Sequence, residues 1–393
     1  MKNLLVTFLA VLLITNNIYS QKKRLGEEDL AEEKEYTSLK KALPKTIDVY
    51  KLNLKGQGLK KIPPEIKRLK NLQVLDLSDN DISILPKQLF ELANLQVLIL
   101  DDNEIVTIPE GISNIEYLEV LSLANNPLKV LPKSIKNMST LRKVCLANNP
   151  ENDLMKSLYF LTFIEFFESL DISNNNIDTL PREVANFIHL YHLDISKNPN
   201  LKFDTAFKML GRPSIIQSIN LSDNNLKTLP TSIGELGKLK EIYLARNENL
   251  DIEQVIQNLL PLEKLEIIGL SESNLKKLPS EIGEITELTK LFLGYNQIEE
   301  FPPEIGNLIY LEEIHAYDNQ LTTLPPEIGD LQNLAELHLY NNPITSLPEE
   351  IKNLLSLNLM SLPDASIPKK EKKKILDLLP DVEVTFSDEP DEK

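Results

Sequence analysis

Cysteine and histidine are scarce in this chain. Among its 393 residues there are one cysteine, Cys145, and four histidines. A single thiol can form neither an internal disulfide nor a cysteine-based zinc site, so packing alone must stabilise the fold. The sequence also has no glycine-rich phosphate loop, no H-E-x-x-H and no G-x-S-x-G motif. It therefore predicts a protein that is not an enzyme and uses no cofactor.

Positively charged residues and long apolar runs are also scarce. The 42 lysines and arginines are outnumbered by 59 aspartates and glutamates, which gives a net charge of -17 at pH 7. This balance disfavours nucleic acid and anionic lipid as partners and favours a basic or neutral ligand. After the first twenty residues no apolar run is comparable with the one at the N-terminus, so membrane insertion of the body is not expected.

The N-terminal region has the pattern of a secretory signal. Lys2 precedes a largely apolar run from Leu4 to Ile14, and a polar stretch leads to Ser20 and Gln21. Residues 1–20 are therefore predicted to be a signal peptide, and the protein is predicted to be exported to a secreted, periplasmic or cell-surface location. An uncleaved N-terminal anchor is the alternative.

One pattern, L-x-x-L-x-L-x-x-N-x-L, returns fourteen times along the chain. Ten of the thirteen steps between copies are 23 residues long, and the other three are 26. A fixed period in this range indicates one supersecondary unit stacked many times. The pattern predicts a single solenoid rather than several globular domains. The copies begin at Val49, Leu72, Leu95, Leu118, Leu141, Phe167, Leu190, Ile216, Leu239, Leu265, Leu288, Leu311, Leu334 and Leu357.

Each copy predicts a short strand followed by a return segment. In the copy that begins at Leu72, alternation places Leu75 and Leu77 inward and Asp76 outward. One strand per copy gives a parallel sheet, and Leu-Pro segments such as Leu324-Pro325 suit irregular or short helical returns. The predicted fold is an α/β solenoid: a horseshoe of about 14 repeats with a parallel concave sheet and helical N- and C-terminal caps.

The three 26-residue repeats lack the Leu-Pro return. Their outer segments, residues 152–166, 204–210 and 251–260, have an Asp or Asn near the start and helical apolar spacing, which predicts true helices. Either this longer layer only changes the local curvature, or it forms a second binding surface. The first interpretation treats Phe160, Phe163, Phe166 and Phe167 as core residues.

Asparagine occupies the ninth place of eleven repeats. Its amide can donate to and accept from the backbone where each strand turns, so the sequence predicts a structural Asn ladder. Gln57 and Ala365 replace it in the terminal repeats, whereas Ser273 lies inside the array and predicts a weak joint. The ladder residues are Asn80, Asn103, Asn126, Asn149, Asn175, Asn198, Asn224, Asn247, Asn296, Asn319 and Asn342.

The ends of the array need caps that cover the open core. Residues 21–48 are predicted to form a linker and an N-terminal cap helix, with Tyr36, Leu39, Ala42 and Leu43 on one face. The solenoid is predicted to span 49–368, a C-terminal cap with a helix and an edge strand 369–386, and an acidic tail 387–393.

The segment from Leu324 to Leu334 carries the consensus Leu-Pro-x-Glu-Ile-Gly-x-Leu-x-x-Leu. With this consensus the chain is similar to the leucine-rich repeat superfamily in its 23-residue form. The segment from Tyr36 to Leu54 also looks like the opening of secreted bacterial leucine-rich repeat proteins. The resemblance implies an exported protein that binds macromolecules, such as host proteins, without catalysis. Some relatives carry a ubiquitin-ligase domain with a catalytic cysteine, but Cys145 lies in a repeat strand, so that activity is not implied.

The outward side chains of the strands do not pack in the hydrophobic core, so their positions predict where a partner binds. Towards the C-terminus they turn aromatic, and large aromatics on an exposed sheet are typical of interface hot spots. The alternative is that these rings stack along the sheet and only stabilise it. A protein partner is predicted, with a glycan ligand or a purely structural spacer as alternatives. The predicted ligand-binding residues, called the aromatic patch, are Tyr243, Phe292, Tyr295, His315, Tyr317, His338 and Tyr340.

Three further features have mainly structural interpretations. His315 and His338 should be neighbours, but with no carboxylate at the same places and no third histidine nearby, no metal site is predicted. The outward aspartates of the N-terminal half allow calcium but are better explained as a solvated acidic face. Cys145 is predicted to be an exposed, functionally incidental thiol.

Overall fold

A computed structural model of the chain describes residues 24–211 and 215–388. The predicted signal peptide, residues 1–20, and the end of the predicted acidic tail lie outside the described residues. Within the described ranges, no helix combines the length and the apolarity needed to cross a membrane.

The described residues contain sixteen short parallel strands, which form the inner layer of the repeats. Alternation sets their orientation as predicted: Leu75 and Leu77 are fully buried, while Asp76 between them is half-buried. Fourteen strands come from the repeats, and the first and last come from the caps. They are β1 Glu35–Tyr36, β2 Lys51–Asn53, β3 Val74–Asp76, β4 Val97–Ile99, β5 Val120–Ser122, β6 Lys143–Cys145, β7 Ser169–Asp171, β8 His192–Asp194, β9 Ser218–Asn220, β10 Glu241–Tyr243, β11 Ile267–Gly269, β12 Lys290–Phe292, β13 Glu313–His315, β14 Glu336–His338, β15 Leu359–Leu362 and β16 Glu383–Phe386.

The described chain divides into two compact units. The first contains the residues up to Cys145 together with Glu151–Ile164, and the second contains Leu146–Pro150 and the residues from Glu165 onward. β1 to β6 pair in chain order in the first unit, and β7 to β16 do so in the second. Pairing is in register by repeat place, for example Leu291 with Ile314. Side chains at one place of successive repeats therefore lie side by side in a row.

The Leu-Pro returns are short 3-10 turns, as predicted. Pro325 is extended at the start of one such turn, and Ile328 and Leu331 in and after it are fully buried. Proline at the start fixes φ and lacks the N–H that would otherwise need a partner. The 3-10 turns are Leu43–Lys45, Pro64–Arg68, Leu89–Glu91, Glu110–Asn114, Lys133–Asn137, Arg182–Asn186, Thr231–Glu235, Ser280–Glu284, Pro303–Asn307, Pro326–Asp330 and Glu349–Asn353.

The prediction of helices in the three 26-residue repeats is confirmed. Asp153 and Asp251 accept hydrogen bonds from backbone N–H groups of the first turns that follow them, as expected of N-cap residues. Asp204 instead lies inside its helix and pairs with Lys208 at 2.7 Å. The six helices of the described chain are α1 Glu27–Glu32, α2 Leu39–Ala42, α3 Leu154–Leu161, α4 Phe203–Leu210, α5 Ile252–Leu259 and α6 Lys369–Leu378.

Two of the four phenylalanines predicted to lie in the core are exposed. Phe160 and Phe167 are buried, but Phe163 and Phe166 are 53% and 44% exposed. The prediction failed because α3 ends at Leu161, so helical spacing no longer determines which way the later side chains point. The longer outer layer therefore carries exposed aromatic area that its predicted role in the core does not explain.

All eleven ninth-place asparagines are buried. Asn296 is typical: its Nδ2 donates to the carbonyls of Leu270 and Leu293, and its Oδ1 accepts from the N–H groups of Ser273 and Leu275. Within each unit, such an amide thus joins its own turn to the preceding repeat. Because these backbone groups are buried away from water, the ladder satisfies donors and acceptors that would otherwise be costly to bury.

Ser273 takes over part of this task. Its Oγ accepts from the Asn247 N–H at 3.4 Å and lies 3.2 Å from the Ser271 carbonyl oxygen. Ser273 lies in a repeat that comes directly after a 26-residue repeat, and so does Asn224. The Oδ1 atom of Asn224 accepts the equivalent hydrogen bond from the Asn198 N–H. A hydroxyl can replace that acceptor but has only one hydrogen to donate. A weaker joint at Ser273 stays a prediction.

The caps combine helices with one strand each. In the N-terminal cap Tyr36 lies in β1 and pairs with Leu52, so the single predicted cap helix is wrong for this residue. Tyr36 and Ala42 are buried, whereas Leu39 and Leu43 are half-buried. In the C-terminal cap α6 is followed by β16, which pairs along β15.

Candidate functional site

The aromatic patch is built around two rows of rings on the outward side of the sheet. The fifth-place row crosses β12, β13 and β14: the ring centroids of Phe292 and His315 are 4.9 Å apart, and those of His315 and His338 are 4.5 Å apart. The register of the strands produces this stacking, because the three residues are direct neighbours across the sheet.

The second row follows the ends of the same strands. Tyr317 and Tyr340 are stacked with centroids 4.7 Å apart and planes only 4° from parallel. Tyr295 meets Tyr317 edge-on at 5.3 Å. His315 and Tyr317, at 6.3 Å, connect the two rows. Six of the seven predicted residues therefore form one continuous group of rings.

Two glycines provide the space in which tyrosines lie against the sheet. A Cβ on Gly294 would lie 2.6 Å from the ring of Tyr317, and one on Gly269 would lie 2.8 Å from the ring of Tyr243. Tyr243 covers Gly269, which separates it by one strand from Phe292. The structure thus places Tyr243 beside the other six residues rather than among them.

The patch residues differ widely in exposure. Tyr295 is 51% exposed, Tyr340 is only 8% exposed, and the other five are half-buried. The stacking alternative therefore accounts fully for Tyr340, which offers a ligand almost no area. Tyr295 is the opposite case, since its ring projects into solvent beside an open groove lined by Glu248, Glu272 and Gln297.

Burial changes the acid–base properties of the patch. It raises the pKa of Tyr243, and the neighbouring Glu241 carboxylate adds to this rise. Burial also raises the pKa of Tyr317. Burial, and then the adjacent His338, lower the pKa of His315 to about 4. At neutral pH both tyrosines are protonated and His315 is an uncharged imidazole.

The histidines have carboxylate neighbours that the sequence analysis missed. The Nε2 atom of His338 lies 3.3 Å from Glu336 Oε2, and Nε2 of His315 lies 3.6 Å from Glu313 Oε2. The sequence-based prediction considered only the fifth place of each repeat, where no carboxylate accompanies the histidines, whereas residues two apart on a strand share a face. The signal was a repeated E-x-H, at Glu313 to His315 and Glu336 to His338.

The outward aspartates form turns at the ends of their strands. Asp76, Asp171 and Asp194 each accept a hydrogen bond from the backbone N–H two residues later. Asp101 instead accepts from the hydroxyl of Ser122 on the next strand. These four side chains are half-buried, so the expected solvated acidic face is wrong for them, whereas Asp79 and Asp102 are exposed as expected. The four half-buried side chains are hydrogen-bonded structural groups.

Two of these carboxyls are strongly perturbed. Burial raises the pKa of Asp101 to about 6. Burial, and then the charge of Asp171 on the adjacent strand, raise the pKa of Asp194 to about 7. Asp194 accepts hydrogen bonds from the Ser196 N–H and from Asn220 Nδ2, the latter at 2.7 Å, but hydrogen bonding only partly offsets the effect of burial on its pKa.

Asp171→Asn is expected to stabilise the protein at pH 8. The folded-state pKa of Asp194 lies above its ordinary value of 3.8, so folding becomes less favourable as pH rises from about 4 to 7. Removing the Asp171 charge lowers that pKa, and the free energy of unfolding should rise by about 1 kcal/mol at pH 8. At pH 4 the gain should nearly vanish. Urea unfolding at both pH values measures this difference.

Asp178→Asn is the control for that experiment. Asp178 is exposed, and the substitution makes the same change in net charge. If the free energy of unfolding rises equally in both variants, or if its rise in Asp171→Asn does not depend on pH, the proposed repulsion between Asp171 and Asp194 is wrong.

Cys145 is buried, contrary to the expectation of an exposed thiol. Fifth-place side chains of small volume are covered by their surroundings in this fold, as Ser122 and Ser361 show with 8% and 1% exposure. Larger fifth-place residues such as Phe292 stay half-exposed. Side-chain volume, which repeat position alone does not convey, decides the exposure.

The comparisons with known proteins agree with the fold. Models described as a leucine-rich repeat region, leucine-rich repeats in two copies and a single leucine-rich repeat match residues 31–165, residues 311–353, and residues 166–187, 216–236 and 287–308, respectively. No protein with a curated description matches the sequence.

Solved structures extend the likeness to most of the chain. A leucine-rich repeat protein of Leptospira interrogans is 32% identical, with 90% of this chain and 100% of that chain covered and a TM-score of 0.55. An internalin of Listeria monocytogenes is 21% identical, with 81% and 88% covered and a TM-score of 0.52, and this likeness concerns the fold alone. The repeats, the parallel strands and these matches together show that the chain belongs to the leucine-rich repeat family, whose members are generally non-catalytic and typically serve as protein-interaction scaffolds.

Proposed function

We propose that this protein is a non-catalytic binding protein that takes a protein ligand on the outward face of β12, β13 and β14. The observation that supports this most directly is the continuous group of six rings on these strands. Neighbouring strands hold the rings in place, so little side-chain entropy is lost when a ligand binds. Aromatic side chains combine apolar area with a polar tip, as protein interfaces require.

Tyr295 is the strongest single indication of binding. It has φ of 58° in the left-handed region, as do the non-glycine eighth-place residues of eleven other repeats. Eight of these twelve positions hold Asn or Asp, which adopt that conformation more easily than bulky residues. Tyrosine is therefore a poor choice for folding at this position, and half of its surface is exposed. Contact with a ligand explains it better.

The geometry favours a protein over a glycan as the ligand. A sugar ring stacks on an open aromatic face, but Tyr317 and Tyr340 cover each other's faces and His315 lies between Phe292 and His338. What these stacks present to solvent is mainly ring edges, which suit the mixed apolar and polar surface of a protein.

The charges around the patch further restrict the kind of ligand that can bind. Glu272, Glu313 and Glu336 lie beside the rings. Glu272 pairs with Arg246 and Glu313 with Lys290, whereas Glu336 contacts the imidazole of His338. With the net charge of -17, these groups favour a ligand whose contact surface is basic or neutral.

We further infer that the protein is exported and meets its ligand outside the cytoplasm, as a secreted or surface adhesion or host-interaction factor. The charge, apolar run and polar stretch of residues 1–20 support export. The mass of the mature chain would show whether cleavage occurs before Gln21.

The binding proposal is tested with an array of purified cell-surface ectodomains and a glycan array, both probed with the chain from Gln21 onward. Phe292→Ala and Tyr295→Asn are each expected to weaken the strongest ectodomain signal at least about tenfold. Tyr295→Asn also replaces tyrosine with a residue suited to the left-handed conformation, so its free energy of unfolding should stay within about 1 kcal/mol of the parent. Loss of binding without loss of stability would show that the ring of Tyr295 contacts the ligand.

Tyr310→Ala is the matched control. The exposed fraction of Tyr310, 49%, is similar to that of Tyr295. Tyr310 lies beyond the 3-10 turn Pro303–Asn307, outside the patch. Tyr310→Ala should leave binding unchanged, and binding that survives both Phe292→Ala and Tyr295→Asn would contradict the proposed site. A glycan signal that depends on the patch, without an ectodomain signal, would replace protein by glycan as the ligand.

A further inference from the structure

We propose that His315, His338 and Glu336 bind one divalent transition-metal ion of the zinc class on the outward face of β13 and β14. One ligand atom from each of the three side chains lies within 4.8 Å of the other two. No other group of three or more His, Cys, Asp or Glu side chains is brought this close together in the described part of the chain. The inference does not depend on the proposed ligand of the aromatic patch.

Strand geometry brings the three groups together. His315 and His338 are direct neighbours in the register of β13 and β14, and Glu336 lies two residues before His338 on the same strand. Residues two apart on a strand point to the same side, so the carboxylate reaches the imidazoles without any change in the backbone. A site built on paired strands is also held more rigidly than one built on loops.

The imidazole of His315 has an unused ligand atom. Its Nε2 is buried and has no hydrogen-bond partner among the described residues, and Glu313 Oε2 at 3.6 Å is too distant for a hydrogen bond. A buried nitrogen without a partner is costly, because it has lost its water and gained nothing in exchange. A metal ion would satisfy it.

Ser361 is placed to orient the second imidazole. The Nδ1 atom of His338 lies 3.2 Å from Ser361 Oγ on the adjacent strand β15. When Nδ1–H donates to this hydroxyl, the Nε2 lone pair of His338 is free to bind a metal. Hydrogen bonds of this kind to the second ring nitrogen are typical of metal-bound histidine and fix its tautomer.

Binding requires a modest side-chain adjustment. The two imidazole planes are 25° apart and stacked, whereas a bound metal lies close to the plane of each ring. Each ring must therefore turn towards the ion, and Glu336 must move from its 3.3 Å contact with His338 Nε2 onto the metal. The Glu336 side chain is 44% exposed, so its carboxylate has room to move.

The donor set selects the type of ion. Two imidazole nitrogens and one carboxylate oxygen are the ligands of open tetrahedral zinc sites, in which water or another group fills the fourth position. Calcium and magnesium prefer sets made only of oxygen and need more ligands than these three side chains supply. The site is therefore expected to bind Zn²⁺, and Co²⁺ as its spectroscopic substitute, but not Ca²⁺ or Mg²⁺.

The test is titration of the chain from Gln21 onward, prepared without a histidine tag, with Zn²⁺ and with Co²⁺ at neutral pH. One Zn²⁺ per chain should bind in calorimetry, and Co²⁺ should give the visible absorption of tetrahedral coordination. His315→Ala, His338→Ala and Glu336→Gln should each weaken Zn²⁺ binding at least about tenfold. Ser361→Ala, which leaves all three ligands in place, should weaken it about tenfold by releasing the orientation of His338.

Two substitutions serve as matched controls. His189→Ala removes a histidine far along the chain, and Glu312→Gln neutralises an exposed glutamate of the same repeat as His315. Both should leave the affinity for Zn²⁺ unchanged. Absence of Zn²⁺ binding, equal binding of Zn²⁺ and Ca²⁺, or binding that survives His315→Ala and His338→Ala would overturn the proposal.

Discussion

Asn319→Ala is expected to lower the free energy of unfolding by about 3 kcal/mol. Asn319 is 2% exposed, and its Oδ1 accepts the N–H of Ile298 at 2.9 Å. Alanine would leave that buried N–H with no acceptor. The carbonyl of Leu293 would keep a partner in Asn296, and that of Ala316 would keep one in Asn342, so the neighbouring amides limit the damage.

Asn333→Ala provides the comparison. Asn333 donates one exposed hydrogen bond to the Ile309 carbonyl at 2.7 Å, and water can replace it. Its substitution should cost less than about 1 kcal/mol. Urea unfolding measures both effects, and hydrogen exchange at the Ile298 amide reports the local one, because a solenoid need not unfold as a single unit. Equal unfolding midpoints for the two variants would refute the structural role of the ladder.

The Asn ladder shows why so much of the fold could be predicted from the sequence. Each repeat meets the same local problem, namely a strand that must turn while its backbone groups stay bonded, and eleven of the fourteen repeats meet it with the same residue at the same place. Fourteen copies make that pattern unmistakable. Strand direction, core residues and the 3-10 returns all follow from position within the repeat.

Exposure and cross-strand contacts could be predicted less well, because they depend on the volumes of neighbouring side chains. Cys145 is buried and Phe163 is exposed, both against expectation. In the patch, position identified the rows of rings, but not that Tyr340 would be covered or that Gly269 would separate Tyr243 from the rest. Comparing only equivalent places of successive repeats also missed Glu336, because Glu336 lies at another place of the repeat, on the same face as His338.

Glycine in the Leu-Pro-x-Glu-Ile-Gly consensus reflects another cross-repeat contact. A Cβ on Gly306 would lie 2.7 Å from the carbonyl oxygen of Glu327 in the next 3-10 turn. Gly283 and Gly329 face the carbonyls of Glu304 and Glu350 in the same way. Successive turns therefore pack backbone to backbone, more closely than any other residue permits.

Gly306→Ala is accordingly expected to destabilise the protein by about 2 to 3 kcal/mol, the upper part of the range typical of overpacked sites. The obstacle is a backbone carbonyl, which can move only if the whole turn Pro326–Asp330 shifts. Urea unfolding measures the loss, and hydrogen exchange in the two turns should show whether it is local.

Gly237→Ala separates this steric effect from the general effect of removing a glycine. A Cβ on Gly237 would meet nothing within 4 Å, and its φ is not in the left-handed region. Alanine there restricts the unfolded chain without a clash, so stability should be unchanged or rise by about 0.4 to 1 kcal/mol. Opposite signs for the two variants are the expected result. A Gly306→Ala protein as stable as Gly237→Ala would mean that adjacent turns can separate freely, and that the consensus glycine is not required for their packing.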